Sequence, residues 1–147
     1  MKKRTGMLVI TIVCVFLVIF LAIGNPIIFY HNQQLKRSIT SLEDNQKVTL
    51  NEIVPFDWEI VYTFAPYTSR EEIEEIIGFD SDSISETISE GMVQLLFVKG
   101  KTVTASVCGY PSKLGYSVTN LEGSVSAKEE AVFLTDTDSG IVKLIKQ

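Results

Sequence analysis

The pattern of apolar and polar positions changes character three times along the chain. From Met7 to Ile23 every residue except Thr11 is apolar (MLVITIVCVFLVIFLAI), and Ile27 to Tyr30 extend the run beyond Gly24, Asn25 and Pro26. Met7 to Ile23 alone reaches the lower limit for a helix that crosses a bilayer, and the extension to Tyr30 passes the about 20 residues that ~30 Å of hydrocarbon requires. Lipid offers no partner to an open backbone group, so a transmembrane helix is the form expected. Lys2, Lys3, Arg4 and the terminal amine precede the run, against Lys36 and Arg37 beyond it. That bias holds the N-terminus in the cytoplasm and places the C-terminal part outside, as a single-pass signal-anchor in the cell membrane. The competing reading is a cleaved export signal, with Met7 to Leu21 as its apolar core and Ala22-Ile23-Gly24 as a small-x-small site, giving a chain secreted after cleavage near Gly24. The length of the run and its continuation through Tyr30 favour the uncleaved anchor. Cys14 is no lipoprotein site, because Ile12 and Val13 stand where small residues are needed.

From His31 to Val48 the chain turns polar (HNQQLKRSITSLEDNQKV), with Leu35, Ile39 and Leu42 at helical spacing. A helix leaving the membrane, kinked at Pro26, explains that spacing. The segment reads as a stalk, which divides the chain into an anchor over 1–30, a stalk over 31–48 and an extracytoplasmic domain over 49–147.

Within the domain Trp58, Ile60, Tyr62 and Phe64 alternate with Glu59, Val61, Thr63 and Ala65, the period of a half-buried strand. Ser69 opens a helix with a capping box to Glu72, Ile73, Ile76 and Ile77 form its apolar stripe, and Gly78 closes it. Ser83-x-x-Glu86 predicts a second, short helix that buries Ile84 and Ile88 and ends near Gly91. Met92 to Val98 is nearly continuous in apolar residues, Lys99-Gly100 is a turn, and Val103, Ala105 and Val107 alternate with polar neighbours, as in a buried strand paired to a one-sided one. Tyr116 to Thr119 is a short strand, and Ala131 to Thr135 with Ile141 to Ile145 make a final hairpin. The fold class expected is α+β: an N-terminal transmembrane helix, then a small antiparallel sheet of about four or five strands with one main helix packed on a face. Trp58, Ile60, Tyr62 and Phe64 are expected beneath that helix.

Charge narrows the partners. Residues 31–147 hold ten Lys and Arg against eighteen Asp and Glu, so no nucleic acid is expected as a partner. The expected partners are the membrane, through the N-terminal helix, and an envelope protein. His31, the only histidine, lies outside the domain, which excludes histidine-based triads and zinc sites from it. The acidic turns at Asp80 and Asp136 fail as calcium loops, because Ser85 and Ile141 occupy the glycine position and Gly91 and Gln147 the glutamate position. No cofactor, metal or catalytic residue is expected. Cys108, the one cysteine of the domain, reads as buried and inert. The aromatic cluster of Phe56, Trp58, Tyr62, Phe64 and Tyr67 is mainly core; Phe56 and Tyr67, beside Pro55 and Pro66, are the candidates for partner binding.

The segment Pro55 to Thr68 (PFDWEIVYTFAPYT), with the Glu71 to Gly78 helix after it, resembles a motif of small uncharacterised bacterial proteins, typically lipoproteins or single-pass anchored proteins. The resemblance implies a bacterial envelope protein with a strand-helix-meander core, and it carries no activity or substrate. Glu59 stands where that group often has Asp, and Ala65 near where it has Gly. The function expected is a non-catalytic binding or accessory domain of the envelope; the alternative is an envelope hydrolase with an unrecognised Ser, Lys or carboxylate site.

Overall fold

A computed structural model of the chain describes residues 2–147, with side chains described for 6–18 and 24–147. Helix α1 (Lys2–Ile23) ends where Gly24 takes a φ of 71°. Asn25 is extended, and its Oδ1 accepts from the amides of Ile27 (3.1 Å) and Ile28 (3.4 Å), opening α2 (Pro26–Thr40) with Pro26 at the first turn. Pro26 therefore begins a new helix instead of kinking a continuous one. Among the described residues no helix is long and apolar enough to cross a membrane. This overturns the expected transmembrane helix and single-pass anchor. The apolar run that suggested them is cut at Gly24, and the residues that were to lengthen it belong to α2, where Ile28 is buried.

Nor is 31–48 a free stalk. Leu35 and Ile39 of α2 are each 1% exposed, and β1 (Lys47–Thr49) follows, then a short α3 (Leu50–Ile53) with its own capping box between Thr49 and Glu52. The remaining elements are β2 (Ile60–Tyr62), α4 (Arg70–Ile77), β3 (Val93–Lys99), β4 (Thr102–Gly109), α5 (Pro111–Leu114), β5 (Tyr116–Thr119), β6 (Ser124–Ser126), β7 (Val132–Asp138) and β8 (Ile141–Lys146).

The strands form two four-stranded sheets instead of the one expected, ordered β1-β7-β8-β5 and β4-β3-β2-β6. The first is mixed, because β5 runs parallel to β8, with Tyr116 opposite Val142. Their apolar faces meet: Val61, Leu95, Phe97 and Val125 of one sheet pack with Phe133, Leu144 and Tyr116 of the other, and Leu35 and Ile39 join the same cluster. The back of the second sheet is covered too. Leu96, Val98 and Val103 pack against Ile73 of α4, Ile84 and Ile28. Burial on both faces explains why Val93 to Val98 shows no alternation.

Helix α4 keeps the caps its sequence predicts, but of the expected stripe only Ile73 is buried: Ile77 is half-buried and Ile76 is exposed. The Ser69 hydroxyl accepts from the Glu72 amide, the Glu72 carboxylate accepts from the Ser69 amide, and Gly78 sits at φ 81°. The second helix is absent, and 80–91 is turn and loop. Its capping carboxylate is engaged elsewhere: Glu86 Oε1 accepts from the Arg70 amide at the start of α4. Trp58 is also placed differently. The chain bends at Glu59, so alternation does not reach back to residue 58. Trp58 packs towards the space between the sheets, edge-on to Phe97 at 5.6 Å, whereas Tyr62 and Phe64 stack with each other at 6.0 Å on the α4 side.

Candidate functional site

The two aromatic residues singled out by the sequence have different roles. Phe56 is half-buried, stacked on His31 (centroids 4.6 Å apart, planes at 13°) and edge-on to Phe97 at 5.4 Å. His31 in turn lies 2.7 Å from the Thr104 carbonyl through Nδ1; a carbonyl only accepts, so Nδ1 carries the proton and donates. Phe56 is thus part of the fastening of α2 to the sheet.

Tyr67 is 65% exposed at the tip of the Pro66-Tyr67 turn, with a φ of 69° that side chains beyond Cβ rarely adopt. Its amide donates to the Thr87 carbonyl at 2.9 Å, and the buried Thr87 hydroxyl donates to the Ala65 carbonyl at 3.4 Å. These bonds tie the turn after β2 to the 86–88 loop. They bring to the same corner Ile88, which is 76% exposed. The sequence gives no warning of this residue, because its spacing from Ile84 suits the buried stripe of a helix that does not form.

Two clefts of about 260 and 270 Å³ run along α2 and share Phe29, Asn32, Ser85 and Ser106. The Asn32 amide donates to the Ser106 carbonyl (2.7 Å) and its oxygen accepts from the Ser106 amide (3.1 Å), so this side chain closes the outer edge of β4 as a neighbouring strand would. Lys36 Nζ donates to the Lys113 carbonyl at 2.8 Å. Cys108 is half-buried rather than buried, donates to the Glu86 carbonyl at 3.4 Å, and burial pushes its thiol pKa up, away from the reactive thiolate.

Tyr116 is fully buried, its hydroxyl has no hydrogen-bond partner among the described residues, and burial raises its pKa well beyond the ordinary phenol range. An unpartnered buried hydroxyl costs about 1–3 kcal/mol in desolvation. Tyr116→Phe is therefore expected to raise stability by about 1 kcal/mol, read as a higher urea midpoint at unchanged slope; a loss of stability would show that the hydroxyl has a partner.

The other charged and hydroxyl groups that meet are occupied locally. Glu52 is held below the usual carboxylate range by the Thr49 amide and hydroxyl in the α3 cap. Asp138 is lowered by the Ser139 hydroxyl and by Lys143 in the last hairpin turn, and Asp57 by its 2.8 Å bond to Lys99. Among the described residues no group of three or more His, Cys, Asp or Glu side chains is placed to hold a metal ion. Comparison of the chain with protein-family models, curated proteins and solved structures finds no match.

Proposed function

We propose that this is an exported, non-catalytic binding or accessory domain of the bacterial envelope that offers the Tyr67–Ile88 corner to a protein partner. The observation that carries the reading is Tyr67 itself, a large aromatic residue displayed in left-handed backbone geometry and held there by Thr87. Such geometry costs a residue with a Cβ about 1–2 kcal/mol, a cost glycine escapes. A strained, exposed aromatic beside an exposed Ile is a feature that stability alone does not favour, and strain of this kind concentrates at sites of contact. Aromatic residues are also enriched at the centres of protein interfaces. The Glu52, Asp57 and Asp138 carboxylates are engaged in a helix cap, an ion pair with Lys99 and a hairpin turn.

The test replaces Ile88 with a photo-reactive residue in the full chain within bacterial cells, and Lys143, on the opposite sheet, as the control. One discrete adduct is expected from position 88 and none from 143. Tyr67→Gly should abolish that adduct while leaving the denaturant midpoint unchanged or higher, because lost strain offsets the extra chain entropy of glycine. An adduct of equal yield in the Tyr67→Gly background would remove the corner from the reading.

A further inference from the structure

We infer that the chain is cut between Gly24 and Asn25 by an export signal peptidase, so that the working protein begins at Asn25; this rests on the export half of the function proposed above. Three basic residues, Lys2, Lys3 and Arg4, precede an apolar core from Met7 to Leu21, and Ala22 and Gly24 are the small residues three places and one place before the bond. That order is the one a signal peptidase reads.

The apolar residues past the bond, Ile27 to Tyr30, are what speaks against cleavage in the sequence, because a leader has no use for them. The structure places all four in or beside the first turn of α2 and buries Ile28, while Ile27, Phe29 and Tyr30 stay exposed on its surface. Ile28 is 7% exposed and packs in the cluster that holds Ile73 and Ile84. Phe29 lines the cleft along α2, and the Tyr30 hydroxyl accepts from Gln34 Nε2 at 3.1 Å. With a helix that starts at Pro26 and a core that claims Ile28, what remains upstream is a leader of ordinary pattern.

The bond is also well placed. Gly24 and Asn25 are exposed and lie between α1 and α2, outside both helices. The groups that cap α2, Asn25 Oδ1 and the Asn25 carbonyl that accepts from Phe29 at 3.1 Å, stay with the downstream piece. Upstream, the side chains of 6–18 are all exposed, so their removal takes no packing from the domain. In the step itself, water delivered by the peptidase adds to the Gly24 carbonyl carbon and the carbon–nitrogen bond to Asn25 breaks. Gly24 leaves as a carboxylate, and the Asn25 nitrogen takes a proton to become the new terminal amine.

The full chain, carrying after Gln147 a reporter active only outside the cytoplasm, tests this by N-terminal sequencing of the recovered protein. Active reporter on a chain that reads Asn-Pro-Ile-Ile-Phe is the expected result. Ala22→Leu, which puts a large side chain at the small position three places before the bond, should suppress that species at least tenfold and leave the uncut chain. Active reporter on a chain that still begins at Met1, or at any residue other than Asn25, overturns the cleavage and leaves export standing. An inactive reporter on an uncut chain overturns export and the cleavage with it.

Discussion

A chain that starts at Lys47 is expected to lack the cooperative unfolding transition of a chain that starts at Asn25. Read from sequence, the domain begins near residue 49 and needs nothing before it. The structure packs α2 into the main core. Leu35 and Ile39 are buried to the depth of the sheet core, and removing a buried Leu or Ile side chain costs about 2–5 kcal/mol each. The Ser38 hydroxyl donates to the Ile53 carbonyl at 2.6 Å, while His31 and Asn32 satisfy Thr104 and Ser106 along the edge of β4. Without α2 that edge stands open beside an uncovered apolar surface, a template for aggregation. Domains of this size hold about 5–15 kcal/mol in all, so these losses together exhaust it. Circular dichroism through a urea titration decides the matter. A sigmoidal transition for the Lys47 chain with the midpoint of the Asn25 chain would place α2 outside the cooperative unit.

The contrast shows which features the sequence could reveal. The β3–β4 and β7–β8 hairpins and the capped α4 were legible, since each is long enough to show its period and is bounded by its own turn or cap. Strands β1 and β6 have three residues each, too few for alternation to register, and the division of the other six strands between two sheets depends on pairings such as β5 with β8 that no single segment encodes. The helical spacing of Leu35, Ile39 and Leu42 was visible; what it packs against was not, because its partners on β4, β5 and β8 lie far along the chain. The same applies to Ile27 to Tyr30, whose apolar character reads as membrane span until a core is seen to claim Ile28. At the candidate corner, Pro66 marked Tyr67 as a turn residue that stays exposed. Ile88 was hidden by a false helix, because the Glu86 that was to cap it serves α4 instead.

Truncating Phe97 to Ala is expected to destabilise the domain by about 3–5 kcal/mol, and truncating Trp58 to Ala by only about 1–2 kcal/mol. Ring size alone would order them the other way. Burial decides: Phe97 is 1% exposed at the centre of the inter-sheet core, and both Phe56 (5.4 Å) and Trp58 (5.6 Å) set it edge-on, each such pair adding about 0.5–1.5 kcal/mol beyond buried area. Trp58 is half-buried at the rim of the same cluster, so its removal returns less apolar area to water and opens a gap that solvent fills instead of a sealed void. As the only tryptophan, Trp58 also reports on its neighbour. In Phe97→Ala, at denaturant concentrations where the variant is still folded, its emission should move to the red and its quenching by acrylamide should rise, because the wall behind the ring is gone. Equilibrium unfolding of both variants beside the parent gives the order directly. If Trp58→Ala costs as much as Phe97→Ala, or if the emission of Phe97→Ala matches the parent, the two rings do not share the contact on which this ranking stands.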